Sequence, residues 1–231
     1  WTGYLLFWLL CVLPCINPDI EAVHVCGSIY KLAGILGIIA TLVLSCAAAL
    51  AVFGFMYTPR AVGAVACLPV RREGVFVSCT LAALLPMLAA HALTAAVGCI
   101  VAAARGVECA GALWEWCAAI SMEGVFFFGF AAFCAQLTGA AVILPAVYAV
   151  LNFTAFVVET VVRYVISIFV YGMSSSGSSL LTFLSPPVYI LGAVGAAYDY
   201  SDDMGYQTGV SMTGVGTLAI YALAGLAFLL I

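Results

Sequence analysis

Few side chains in this 231-residue sequence can do chemistry, and those that can stand inside apolar runs. Glu159 and Arg163, in VVETVVRYV, are four residues apart and share one face of a helix, in the favourable acid-before-base order. Two roles fit them: a self-neutralising pair that orients its helix, or groups that line a pathway and transmit a movement. An unpaired charge at mid-bilayer is costly, so either role has them paired or facing a polar interior. Glu123, in ISMEGVFFF, has no partner four residues away and implies a cavity or a second helix against it. Asn152 is a further polar group in the same kind of setting.

No enzyme is legible here. His24 and His91 are far apart and neither belongs to an HExxH pair, while the serines of SSSGSS lack the flanking glycines of a nucleophile elbow. His91 reads as a packed polar side chain bonded to a neighbouring helix. A phosphate-binding loop needs a lysine after a glycine-rich turn, and the sole lysine, Lys31, follows CGSIY, so the chain does not hydrolyse ATP by itself. No cofactor and no metal are expected: of the ten cysteines only Cys11 and Cys15 form a close pair, and that pair lies in an apolar run. Cys46, Cys79, Cys99, Cys117 and Cys134 likewise read as small buried hydrophobes.

The elements that must position these groups follow from composition. With 67% hydrophobic and 7% charged residues, the chain is far from the roughly 25% charge of a soluble domain. Apolar runs of twenty residues and more argue against a transmembrane barrel, whose strands alternate over about ten. The expectation is an all-α, polytopic membrane bundle forming one domain over residues 1–231, a fragment of a longer chain, with six spans at about 1–16, 32–56, 75–104, 112–137, 141–171 and 215–231. Pro145 and Asn152 interrupt the first half of the fifth run, which suggests an interfacial elbow feeding a span. Asn17 to Lys31 reads as a polar linker. The connection 172–213 holds a Ser/Gly cluster, an apolar piece broken by Pro186 and Pro187 and an acidic tip at Asp199, Asp202 and Asp203; it suits a re-entrant or surface-lying external segment.

The stretch 57–74, within YTPRAVGAVACLPVRREGVF, carries Arg60, Arg71 and Arg72, three of the six basic residues. Placed in the cytoplasm as a short elbow, it leaves Lys31 and Arg105 outside, together with the long connection that has no Lys or Arg. Arg105 fits this orientation worst. Cys26 and Cys109 then share the outer side, where a disulfide is open to them. The net charge of -4 is spread over several loops, and no block of like charge suggests a nucleic-acid partner.

Six spans, a basic elbow after the second and a long, partly apolar connection before the sixth resemble the permease half of ATP-binding cassette exporters of the type-2 class. The wording is similar too: YTPRAVGAVACLPVRREGVFVS looks like the elbow of large permease subunits from anaerobic Gram-positive bacteria, and YGMSSSGSSLLTFLSPPVYILG like their external connection. The resemblance implies a plasma-membrane, multi-pass subunit that partners a separate ATPase, which would bind ATP and magnesium, and a second permease half. It implies that Arg60, Pro69, Arg71, Arg72 and Glu73 contact that ATPase and that Glu123, Asn152, Glu159 and Arg163 are pathway or intramembrane polar groups. A non-transport scaffold or immunity-type membrane protein, or a gradient-driven secondary transporter, would share the same spans. Nothing names the cargo.

Overall fold

A computed structural model describes residues 1–67, 71–169, 181–200 and 207–230. Pro69, Asp202, Asp203 and the Ser/Gly cluster lie outside the described residues. Among the described residues the chain is mostly helical, and four helices are long and apolar enough to cross a membrane. These are α2 (Ala22–Tyr57), α4 (Arg72–Arg105), α5 (Ala110–Leu137) and α6 (Ile143–Phe169). Before α2 comes α1 (Thr2–Val12) with a tight extra turn at Leu13–Cys15, and between α2 and α4 lies the short α3 (Pro59–Ala66). After α6 come a turn at Thr182–Leu184, the short α7 (Pro186–Ala193), strands β1 (Gly195–Tyr200) and β2 (Gln207–Thr213), and α8 (Val215–Leu230).

Several expectations are corrected. Among the described residues four of the expected spans are long helices, and at the places of the first and sixth stand the shorter apolar helices Thr2–Cys15 and Val215–Leu230. The polar stretch before Lys31 is helical from Ala22, because Val25 and Ile29 recur at helical spacing and are buried while His24, Ser28 and Lys31 stay on the other side. Pro145 does not break α6, since it falls in the first turn, where its missing N–H costs nothing. The bundle is not all-helical: β1 and β2 pair antiparallel from Gly195↔Thr213 to Tyr200↔Gln207, with an irregularity between Asp199 and Tyr200.

Helix α5 is the mast of the bundle. In its most apolar stretch 67% of residues are buried, against 17% in α6, and α2, α4 and α8 all pack on it. Glycine makes the tightest of these contacts possible: α8 runs parallel to α5 with Gly225 against Gly129 and Phe126, and a methyl group on Gly225 would lie 2.5 Å from Phe126 Cα. Aromatic pairs flank that contact, Phe126 with Tyr221 at 5.1 Å and Phe130 with Phe228 at 5.2 Å. Trp8, Trp116 and His91 fill the opposite side of α5, the two indoles 5.3 Å apart.

Alternating helix directions divide the loops between two ends. At one end the Tyr57 hydroxyl donates to the Ala135 carbonyl at 3.0 Å, so the elbow sits beside the close of α5. At the other, Tyr30 donates to Glu115 at 2.5 Å and the hairpin packs on the first turns of α2.

Candidate functional site

The elbow is built from a proline and a change of direction. Thr58 is extended, Pro59 opens α3 at a position that suits its fixed φ, and α4 begins at Arg72 after an extended Arg71. The main packing of α3 is on the turn Gly54–Tyr57 immediately before it, leaving Arg60, Arg71, Arg72 and Glu73 exposed. Among the described residues none of these three guanidinium groups makes an ion pair. Three arginines against one glutamate make this end positive. The opposite end exposes Asp19, Glu21, Glu108, Glu115 and Asp199.

The two basic residues at that acidic end are tied locally. Lys31 Nζ stands 5.3 Å from the centre of the Tyr198 ring, a cation–π contact that fixes the hairpin to α2. Arg105 Nη1 donates to the Ile16 carbonyl and closes the exit of α1, which explains an arginine that orientation alone does not.

Cys26 and Cys109 are free thiols, with Cys26 Sγ 3.9 Å from the carbonyl of Glu108, the residue before Cys109. Burial pushes the Cys109 thiol up to about 11, with Cys26 and Cys99 adding to the rise. Since the thiolate is the nucleophile, Cys109 is expected to react with maleimide at least about tenfold more slowly than Cys67, the exposed cysteine of the elbow. Mass spectrometry of a timed labelling series checks this; equal rates would contradict it.

The polar groups inside the helices do not form one cluster. Glu159 and Arg163 are together as their spacing requires, with Arg163 Nη2 2.7 Å and Nε 2.9 Å from Glu159 Oε1. The other carboxylate oxygen accepts from the Leu181 N–H at 3.0 Å and the Thr182 hydroxyl at 2.9 Å. Ser185 Oγ accepts from the Phe156 N–H at 2.8 Å, and Tyr221 donates to the Phe183 carbonyl at 2.5 Å. The turn leading into α7 is thereby fastened to α6 and α8. Asn152 is buried on the face of α6 that also buries Leu144 and Tyr148, and its amide donates to the Tyr148 carbonyl of its own helix at 2.9 Å.

Glu123 is fully buried between α5 and α2. Its Oε2 lies 3.4 Å from Thr41 Oγ1, and Oε1 has no hydrogen-bond partner. Opposite it α2 widens into a π-helical segment, Leu32–Gly37, a feature frequent at functional positions. His91 pairs with Tyr4 of α1 at 2.6 Å and with Ser121 of α5 at 3.2 Å, a satisfied polar side chain bridging three helices.

Thr41, Thr182 and Ser185 have no distinguishing spacing in the sequence; the glycine pair in LAGILG, four residues before Thr41, was the available sign that α2 departs from a plain helix. Between α1 and α2 an apolar groove of about 350 Å³, lined by Gly3, Phe7, Leu36, Ile39 and Val43 among others, opens outward. Comparison of the chain with protein-family models, with curated proteins and with solved structures gives no match.

Proposed function

We propose that this chain is the membrane-spanning permease component of an ATP-binding cassette type-2 exporter in the plasma membrane, driven through the 57–74 elbow by a separate ATPase subunit. The observation that supports this most is the elbow itself. A short helix held mainly by the turn before it carries Arg60, and Arg71 and Arg72 open the next long helix, all three exposed and without ion pairs among the described residues. A nucleotide-binding partner that closes with ATP would pull on that junction, and α2 and α4 would carry the displacement into the bundle. The contrast between basic and acidic ends supports a cytoplasmic elbow and an external hairpin. Two such permease halves would enclose the pathway, and the sparsely buried faces of α6 leave apolar surface for lipid or the second half.

Arg71→Ala with Arg72→Ala is expected to reduce co-purification of the ATPase and ATP-dependent export by about tenfold or more, as loss of two charge contacts would. Undiminished export with an intact complex removes the lever role. Orientation is checked separately: a membrane-impermeant maleimide applied to sealed cells should leave Cys67 unmodified and should label it once the membrane is opened. Labelling of Cys67 from outside would overturn the exporter reading.

A further inference from the structure

The hydrogen bonds around Thr41 bear on the state of Glu123. The Thr41 hydroxyl has a single proton, and its closest acceptor is the Gly37 carbonyl at 2.8 Å, with the Ile38 carbonyl at 3.2 Å. The Glu123 Oε2 contact, at 3.4 Å, is the longest of the three, so with the proton directed to Gly37 it is the Thr41 oxygen that would accept there. A carboxyl group donates a hydrogen bond only when it carries a proton.

The surroundings agree with a neutral acid. Glu123 makes no ion pair among the described residues. The titratable groups on the helices around it are bonded elsewhere: Tyr4 of α1 to His91 of α4, Tyr148 of α6 to the Phe127 carbonyl, Tyr221 of α8 to the Phe183 carbonyl. Cys46 of α2 and Cys117 of α5 are free thiols. An isolated carboxylate in such a place is strongly disfavoured.

The wall opposite is the π-helical part of α2. Gly37 closes the π-helical segment directly over the acid: a methyl group there would lie 3.3 Å from Glu123 Oε2 and 2.6 Å from Ile120 Cδ1. Parting α2 from α5 at this contact would uncover the carboxyl group.

We propose that Glu123 is an intramembrane proton-binding site, loaded in this conformation, and that release of its proton accompanies movement of the Leu32–Gly37 segment away from α5. The inference stands on this geometry alone and does not depend on the exporter reading.

Infrared spectroscopy of the full chain in lipid nanodiscs tests the site. A protonated-carboxyl band that shifts in deuterated buffer is expected at neutral pH, retained in Glu108→Gln, whose side chain is exposed, and lost in Glu123→Gln. No such band in the wild-type protein, or its survival in Glu123→Gln, overturns the site. Thr41→Val keeps the acid and removes its acceptor, so the band should persist at a shifted position; an unshifted band overturns the partnership with Thr41. Amide exchange over residues 32–41, compared between wild type and Glu123→Gln at each pH so that intrinsic rates cancel, tests the movement. Above the pH at which the band disappears the wild type should exchange about tenfold faster, and below it equally. Equal rates throughout overturn the coupling to α2.

Discussion

Gly225→Leu is expected to destabilise the protein by about 3 kcal/mol, the upper end of what overpacking costs. The atoms that a side chain at Gly225 would strike are backbone, Phe126 Cα at 2.5 Å and the Val125 carbonyl oxygen at 2.9 Å from a first carbon, so no rotamer change relieves the contact. They belong to the most buried helix of the bundle, which cannot retreat without disturbing its packing on α2 and α4. Pushing α8 outward also parts Phe126 from Tyr221 and Phe130 from Phe228. Thermal unfolding in detergent, followed through the fluorescence of the buried Trp8 and Trp116, reads the effect. Leu223→Ala, on the exposed side of α8, is the control and should change stability by no more than about 0.5 kcal/mol. Equal midpoints for Gly225→Leu and the control would show that α8 is not seated as described.

Glu159→Ala should release the turn ahead of α7. That carboxylate receives the Leu181 N–H and the Thr182 hydroxyl while holding Arg163, so one substitution removes the fastening of two chain segments and the counter-charge of a third group. Amide exchange at Leu181 is expected to accelerate about tenfold or more, because a backbone donor loses its acceptor and the turn loses its tether. Ser185 and Tyr221 still hold the far side of the turn, which confines the change to Leu181–Thr182 and leaves the hairpin protected. Glu159→Gln keeps an acceptor oxygen and should fall between. Unchanged exchange in Glu159→Ala would mean that the pair with Arg163 orients α6 and nothing more.

What the sequence showed of these sites followed the reach of local spacing. The Glu159–Arg163 pair is visible because both residues lie on one helix face; Leu181 and Thr182 are not, because nothing in a one-helix pattern points to a turn more than twenty residues on. Glu123 was legible as a carboxyl group lacking a local partner, whereas Thr41 meets it across the helix interface from another part of the chain.

Residues 22–31 misled through composition. Their polar content suggested a linker, but Val25 and Ile29 supply a buried stripe sufficient to continue α2. The hairpin misled for the opposite reason: Tyr198 and Val210 favour strands, but they are scattered among Gly, Ala and Asp, and only the register joins them. The elbow was legible as a basic interruption between apolar runs; that it contains a helix starting at Pro59 required the turn Gly54–Tyr57 to be seen in place.

Helix α2 is 36 residues long, about 54 Å at the usual rise, while the oily layer of a bilayer is about 30 Å thick. Even steeply inclined, such a shaft stands proud of the hydrocarbon on both sides, with the two-stranded ribbon clasped to its upper portion and the arginine-bearing crook hanging from its foot. Anything that grips the ribbon therefore has a mechanical line to the crook, and along the way the shaft departs from regular winding at the widened stretch Leu32–Gly37 and the tightened one at Gly54–Tyr57.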